Sequence, residues 1–348
     1  MATVRFGVIG LGNWGQAHLE VYCAHPGAEL RAVCDLSKER LRRAAEVYHV
    51  PALYTDFNQM LALEELDAVS IVTPDFAHAD AVVAAVSSDR AVLVEKPLAT
   101  TLADCDRIGE ALAAHPVPFM VDFHNRWSPG VARMKEAVAA GEIGSVRSAS
   151  CRLSDTIFVP TQMLPWAGRS SVLWFLASHC LDTLRWVLGD EVVRVYSTSS
   201  SHVLDALGIT TPDFYLTTLE FQSGARALLE NSWILPERSE SLVEFHLGIV
   251  GERGAFHFDG TPHQLVQVGP EKSEGVDTFI SPRVHGRMLG FATESIRHFV
   301  DCLAEGRKPM VGYDDGREVT RIILAIEESA RTRRPVGLSH HNDTTSTT

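Results

Sequence analysis

No stretch of the sequence approaches the roughly 18 consecutive apolar residues that a membrane-spanning helix needs, so no membrane anchor is expected. The opening residues MATVRFGVIG lack the basic region and cleavage site of a secretory leader and run into a strand-like segment, so a soluble, unprocessed, cytoplasmic protein is expected. Cysteine is sparse: Cys23, Cys34, Cys105, Cys151, Cys180 and Cys302 are scattered through mostly apolar surroundings without CxxC spacing. Such thiols are expected to stay free in a reducing compartment rather than bridge or hold zinc. Basic residues are outnumbered, 31 Lys and Arg against 44 Asp and Glu for a formal net charge of -13. That balance disfavours a broad phosphate-binding face, and no nucleic-acid partner is expected. There is no HExxH, and His202, His246, His257, His263 and His285 share no short ligand spacing, so no metal is expected. Ser178 stands beside His179 without a nucleophile elbow, which leaves hydrolysis unsupported.

With 45% apolar and 22% charged residues over 348 positions, the chain can fill a large core, and its length suggests two domains. Apolar strand-like runs at 3–9, 29–34, 68–72, 91–94 and 117–121 alternate with helical patterns. That rhythm predicts right-handed crossovers in a parallel sheet covered on both faces, a dinucleotide-binding domain over residues 1–122. Beyond it the rhythm changes. A helix near 131–140, a strand near 146–153, an irregular segment through Gly168 and a long helix over 171–188 precede strands near 191–198, 212–222, 225–233, 242–249 and 254–259. The short turns between these strands fit an antiparallel meander, a second α/β domain over 123–335 closed by helices near 287–305 and 315–332. A sheet with one face left open is expected to be covered by another subunit, giving a dimer or tetramer. Residues 336–348 are expected to form a mobile tail.

Gly10-Leu11-Gly12-Asn13-Trp14-Gly15 satisfies GxGxxG between the first strand and first helix. There Gly10 makes a tight turn, Gly12 lets the backbone approach a pyrophosphate, and Gly15 permits close helix–strand packing, with the helix N-terminus facing the negative charge. Asp35, at the end of the second strand, is placed to accept ribose hydroxyl hydrogen bonds; this favours NAD, while Lys38 leaves NADP open. Thr73, Pro74 and His78 follow the next strand, where His78 either lines the nicotinamide or satisfies a backbone carbonyl. Glu95-Lys96-Pro97 ends another apolar strand at the same sheet edge. A lysine there can hydrogen-bond a substrate hydroxyl and stabilise alkoxide character, with Glu95 orienting it; the alternative is a surface salt pair.

GxGNWG, TPDFAH at 73–78, EKP at 95–97, NRWSP at 125–129, the helix with His179 and Asp182, and EESA at 327–330 together resemble the glucose-fructose oxidoreductase and inositol dehydrogenase family, also called Gfo/Idh/MocA. The resemblance spans nearly the whole chain. It implies an N-terminal Rossmann domain followed by an α/β domain with a large, mostly antiparallel sheet, and NAD(P)-linked oxidation or reduction of sugars, polyols or related cyclic compounds. In that family a helix often reads Asp-x-Gly-x-His-x-x-Asp, with its first carboxylate and its histidine near the substrate. Here the matching residues run from Phe175 to Asp182, so the histidine (His179) and last Asp remain while the first Asp is replaced by Phe175. Phenylalanine exchanges no proton but can narrow a pocket or stack on an apolar ring face.

The resemblance makes His179 the expected general base and Lys96 its catalytic partner, with Asp182 an anchor. Arg126, Asp155, Trp166, Arg169, Trp174 and Phe175 are candidate substrate contacts, although a salt bridge at Arg126 and core packing of the aromatics are open alternatives. The expected function is NAD-dependent oxidation of a sugar, cyclitol or glycoside hydroxyl, or the reverse carbonyl reduction. Retention and recycling of bound NAD, or a nucleotide-responsive binding protein that has lost turnover, are the rival readings.

Overall fold

The β-branched run at the start of the chain forms β1 (Val4–Ile9), buried on both faces except for Arg5, as a central parallel strand must be. In this computed structural model, which describes residues 3–239, 241–261, 264–268, 272–277 and 280–338, the chain divides into two compact units. One comprises Met1–Ser128 with Thr278–Thr320, the other Pro129–Asp277 with Arg321–Thr348.

In the first unit, β1 is followed by α1 (Asn13–Ala24), β2 (Ala28–Cys34), α2 (Lys38–Tyr48), β3 (Ala52–Tyr54), α3 (Phe57–Leu63), β4 (Ala68–Ile71), α4 (His78–Ser87), β5 (Ala91–Glu95), α5 (Leu102–Ala114) and β6 (Phe119–Asp122). The six strands are parallel in the order β3-β2-β1-β4-β5-β6. The helices start where the sequence offers caps: Ser37, Asp56 and Thr101 accept from the backbone N–H groups of Arg40, Asn58 and Asp104. The order reverses direction between β1 and β4, which opens a crevice at the carboxyl ends of those strands.

The second unit contains α6 (Pro129–Ala139), β7 (Val146–Asp155), α7 (Ser178–Leu188), β8 (Val192–Ser200), α8 (Val203–Ala206), β9 (Phe214–Phe221), β10 (Arg226–Ser232), β11 (Val243–Gly251), β12 (Ala255–Asp259) and a hairpin of β13 (Gln264–Val268) with β14 (Lys272–Val276). Its main sheet runs β12-β11-β7-β10-β9-β8 and is extended at the β8 edge by Val336–Gly337. β10 pairs with β7 in parallel, and the other neighbours are antiparallel. Residues alternate along these strands: Tyr215, Thr217, Leu219 and Phe221 of β9 are buried, whereas Leu216 and Thr218 between them are exposed.

Four features differ from the sequence-based expectation. The edge strand β3 is not among the expected strands, since its three residues Ala52–Tyr54 are too few to stand out as a strand pattern. The strands of the second sheet are not a pure meander, because β10 returns beside β7. The helix expected near 287–305 packs on the first unit. It is Phe291–Glu305, and its apolar stripe of Ile296, Phe299 and Val300 is fully buried, with Phe299 meeting Phe6 edge-on at 6.3 Å between ring centroids. Finally, Val336–Gly337 is a paired edge strand rather than the start of a tail; the rest of the expected tail, from residue 339, and His263 lie outside the described residues.

Two glycines let the first turn close. Gly10 has φ +98°, and a Cβ there would stand 2.4 Å from the carbonyl oxygen of Val72; a Cβ on Gly15 would stand 2.3 Å from the carbonyl oxygen of Gly10. Neither neighbour can retreat, since both are backbone. Gly15→Ala is expected to destabilise the first unit by about 1–3 kcal/mol, the usual range for overpacking, and to weaken dinucleotide binding. Chemical denaturation followed by NADH titration checks both.

Candidate active site

In the first unit the cradle is assembled by backbone. Gly10 N–H donates to the Cys34 carbonyl at 2.8 Å, tying the glycine turn to β2. Asp35 then completes the tie: its Oδ2 accepts from Leu11 N–H and its Oδ1 from Ser37 N–H, each at 2.7 Å. A carboxylate has about four acceptor sites, so two remain for ribose hydroxyls after these bonds. α1 begins at Gly12 with no side-chain cap, and a Cβ at Gly12 would meet nothing within 4 Å. The helix N-terminus therefore presents free N–H groups to an open space, the setting that suits a pyrophosphate. Asn13 is exposed there, and Trp14 is half-buried with its ring 5.4 Å from that of His124. The cation beside Asp35 is Arg40, 3.5 Å from Oδ2, rather than the Lys38 singled out from sequence.

The neighbouring strand ends supply the next residues. Among the described residues the Thr73 hydroxyl is buried without a hydrogen-bond partner, a polar atom that a bound amide or hydroxyl would satisfy. Pro74 precedes the short turn that leads into α4. His78 is fully buried, and its two ring nitrogens face the carbonyl oxygens of Pro97 at 2.7 Å and Thr73 at 2.9 Å. Its ring therefore sits between the TPDFAH and EKP loops, where its one N–H satisfies one of the two backbone carbonyls. Lys96 and Glu95 are both buried at the end of β5, so they do not form a surface salt pair. Arg126 is also buried and pairs with Asp315 Oδ1 at 3.0 Å.

Glu95 sits in a group of buried polar side chains that the sequence did not reveal. Its Oε1 lies 3.2 Å from His18 Nε2, and His18 Nδ1 lies 3.0 Å from Ser70 Oγ, which is also bonded to the Tyr22 hydroxyl. One side-chain nitrogen or oxygen from each of His18, Glu95 and Asp122 lies within 4.8 Å of the other two. Burial pushes the Asp122 carboxyl well above the ordinary aspartate range, and the neighbouring Glu95 charge pushes it further. Burial also works against the Glu95 carboxylate, but contacts led by the His18 hydrogen bond outweigh it and hold that group below its usual value. The His124 imidazole is pushed down to about 4, chiefly by burial.

In the second unit the residues before α7 form a π turn, Leu173–Ala177, continued without a break by the α-helix. Such wider turns recur at functional sites. Phe175 stands in the turn, and His179 is buried in the first turn of α7. Phe175 is half-buried between two other aromatics: its ring centroid is 6.2 Å from that of Trp166 and 5.9 Å from that of Trp233. Trp233, missed from sequence because it follows β10 as one more apolar residue, is fully buried and its indole N–H finds no acceptor among the described residues. Trp174, by contrast, is buried and its indole N–H bonds Glu327, whose carboxyl is raised chiefly by burial. That contact ties Trp174 to the helix Tyr313–Thr332. Asp155 ends β7 in a buried position, Arg169 is exposed in a single 3-10 turn, and Asp182 is fully buried.

The structure thus groups Gly10, Gly12, Asn13, Trp14, Gly15, Asp35, Thr73, Pro74, His78, Glu95, Lys96 and Arg126 in the first unit. It groups Asp155, Trp166, Arg169, Trp174, Phe175 and His179 in the second. The residues present fit a dinucleotide: an uncapped helix start, an open glycine, and a carboxylate with spare acceptor sites lie on one turn.

Residues 4–123 match the oxidoreductase family with an NAD-binding Rossmann fold, and residues 131–257 match the GFO/IDH/MocA C-terminal domain. The chain is 36% identical to inositol 2-dehydrogenase 3 of Saccharopolyspora erythraea over 94% of its own length and 93% of that protein's. It is 28% identical to the scyllo-inositol 2-dehydrogenase (NAD(+)) of Bacillus subtilis, covering 96% of each. Among solved structures, myo-inositol 2-dehydrogenase from Lactobacillus plantarum superposes with a TM-score of 0.84 at 22% identity, over 97% of this chain and 100% of the other, and so shares the fold. These matches over both units, with the cradle built as it is, make the chain a member of the Gfo/Idh/MocA family of NAD-dependent oxidoreductases.

Proposed function

We propose that this enzyme oxidises a ring hydroxyl of a cyclitol, sugar or glycoside, or reduces the corresponding carbonyl in the reverse direction. The observation that carries the reading is Lys96, a lysine buried at the carboxyl end of β5 on the same sheet edge as a dinucleotide cradle. Bound NAD supplies a hydride acceptor for the carbinol carbon. His179 accepts the hydroxyl proton, and the Lys96 ammonium donates a hydrogen bond to the oxygen as negative charge develops on it. The two roles differ in kind: the histidine must change protonation state, and the lysine must keep its proton.

Phe175 with Trp166 and Trp233 supports a substrate that offers an apolar ring face or a bulky substituent rather than another hydroxyl at that point. Asp35 supports NAD over NADP, because a 2′-phosphate would meet like charge, and Arg40 limits that preference. A nucleotide-responsive binding protein without turnover remains the rival reading, and it draws on Phe175 alone. Its signature is NAD affinity with no substrate-dependent change in nicotinamide absorbance. Lys96→Met and His179→Asn are each expected to lower kcat by about 10²-fold or more, the range of lost acid–base or oxyanion contributions, with NAD affinity kept. Steady-state rates on a panel of inositols, aldoses and glycosides check this; normal rates in both variants would remove the assignments.

The outer face of the second unit's sheet supports a homo-oligomer. Tyr196 of β8, Thr218 of β9 and Leu228 of β10 are paired in one row, with Leu216 beside them, and all four are exposed. Exposed Tyr196, Leu216 and Leu228 on three adjacent strands fit a second copy of the same face. Free cysteines throughout the chain agree with a reducing cytoplasm. Leu216→Glu combined with Leu228→Glu is expected to lower the native mass measured by light scattering while leaving the fold intact. An unchanged mass would move the interface elsewhere.

A further inference from the structure

The buried polar group in the first unit, which includes the neighbour of Lys96 in the chain, is left unused by the mechanism above. Its members come from five neighbouring elements. α1 contributes His18 and Tyr22, β4 contributes Ser70, β5 contributes Glu95, β6 contributes Asp122, and the turn after β6 contributes His124; His18, Asp122 and Tyr22 have no more than 1% exposure. Phe291–Glu305 covers the group from the other side with Ser295, which bonds Asp122. Two carboxyl groups this close in a dry site cannot both carry charge cheaply, and a shared proton is the usual resolution. Tyr22 stays a phenol, since burial raises it beyond any physiological pH, and His124 stays neutral. One negative charge is left facing the lysine.

We propose that Glu95 is the positioning carboxylate of Lys96, held in place by the hydrogen bond from His18, and that Asp122 carries the single proton of the carboxyl pair. The idea rests on the catalytic reading of Lys96 given above. The backbone N–H of Lys96 donates to Glu95 Oε2 at 3.3 Å while His18 engages Oε1, so both carboxylate oxygens are fixed. Glu95 and Lys96 are adjacent and both buried, so the carboxylate is the charge built into the same strand end as the ammonium. A lysine buried without such a partner sheds its proton readily, and an amine without charge is a poor donor to an alkoxide. Glu95 thus sets the charge state of Lys96, and Asp122 keeps a second charge from over-binding it.

The test compares wild type with Glu95→Gln, Glu95→Asp and Asp122→Asn. In Glu95→Gln the alkaline limb of the kcat/KM profile is expected to move down by about one to three pH units, the effect of losing an adjacent opposite charge. Glu95→Asp keeps the charge and holds the limb near its wild-type position, and Asp122→Asn, which mimics a protonated carboxyl, does the same. Two readouts need no turnover. Infrared spectra at neutral pH should show a protonated carboxyl band in wild type that Asp122→Asn removes. Thermal melts should diverge with pH: a raised carboxyl favours the fold fully below the ordinary aspartate value of about 4 and loses that contribution as pH rises, so Asp122→Asn gains on wild type from there upward. An unmoved limb in folded Glu95→Gln, a limb displaced equally in Asp122→Asn, a missing band, or a pH-independent stability difference would each overturn the proposal. So would a stoichiometric metal in the purified protein that Glu95→Gln releases. If Lys96→Met keeps its turnover, the catalytic reading falls by itself, and the infrared band and the melts still decide where the proton resides.

Discussion

The site on the first unit depends on one close backbone crossing. The turn leaving β1 passes so near the end of β4 that a Cβ on Gly10 would overlap the Val72 carbonyl, and α1 begins so near that turn that a Cβ on Gly15 would overlap the Gly10 carbonyl. With those approaches made, the N-terminus of α1 points into open space and Asp35 reaches back to the Leu11 N–H. The same crossing sets the height of the Thr73 loop relative to the glycine turn, since Val72 N–H donates to the Ile9 carbonyl at 2.7 Å. His78 then carries the constraint to β5 through its contacts with Thr73 and Pro97. Lys96 stands beside Pro97, where a chain of contacts that starts at two glycines ends.

Much of this was legible in the residues. Parallel strands buried on both faces read as continuous apolar runs, and the glycine spacing between β1 and α1 names its own turn, because only glycine tolerates a φ of +98° beside a carbonyl. The alternation of β9 and β10 likewise announced a sheet with one open face. What could not be read was return in space. Phe291–Glu305 has a stripe that fits any apolar surface, and nothing local says that Phe299 meets Phe6 rather than the nearer second sheet. The pairing of β10 with β7 is similarly non-local: Leu228 opposite Ser150 is decided by the sheet and not by either segment.

The site was legible where a motif marks the backbone and obscure where side chains converge from distant elements. Asp35 and Lys96 stand at strand ends, so their positions follow once the strands are known. His18, Glu95 and Asp122 come from α1, β5 and β6, and in sequence each looks like an ordinary polar residue at the margin of an apolar run. His78 shows the opposite case. Its place in the motif suggested either role, and in the fold its ring lies between two backbone carbonyls of neighbouring loops.

Phe175 has a physical counterpart in the backbone around it. The π turn over Leu173–Ala177 widens the helix where the aromatic side chain leaves it, and the regular α-helix resumes just before His179. Ser178 donates to the Trp174 carbonyl at 2.8 Å, satisfying one of the carbonyls in that turn. Trp174, held by Glu327, anchors one side of the turn, which leaves Phe175 to meet Trp166 and Trp233. A carboxylate in the same place would lie against two indole rings and lose most of its hydration, at a cost of several kcal/mol unless it were paired or protonated. The replacement of aspartate by phenylalanine is therefore matched by its surroundings: three aromatic rings form one apolar surface on the turn that leads into the α7 residues around His179.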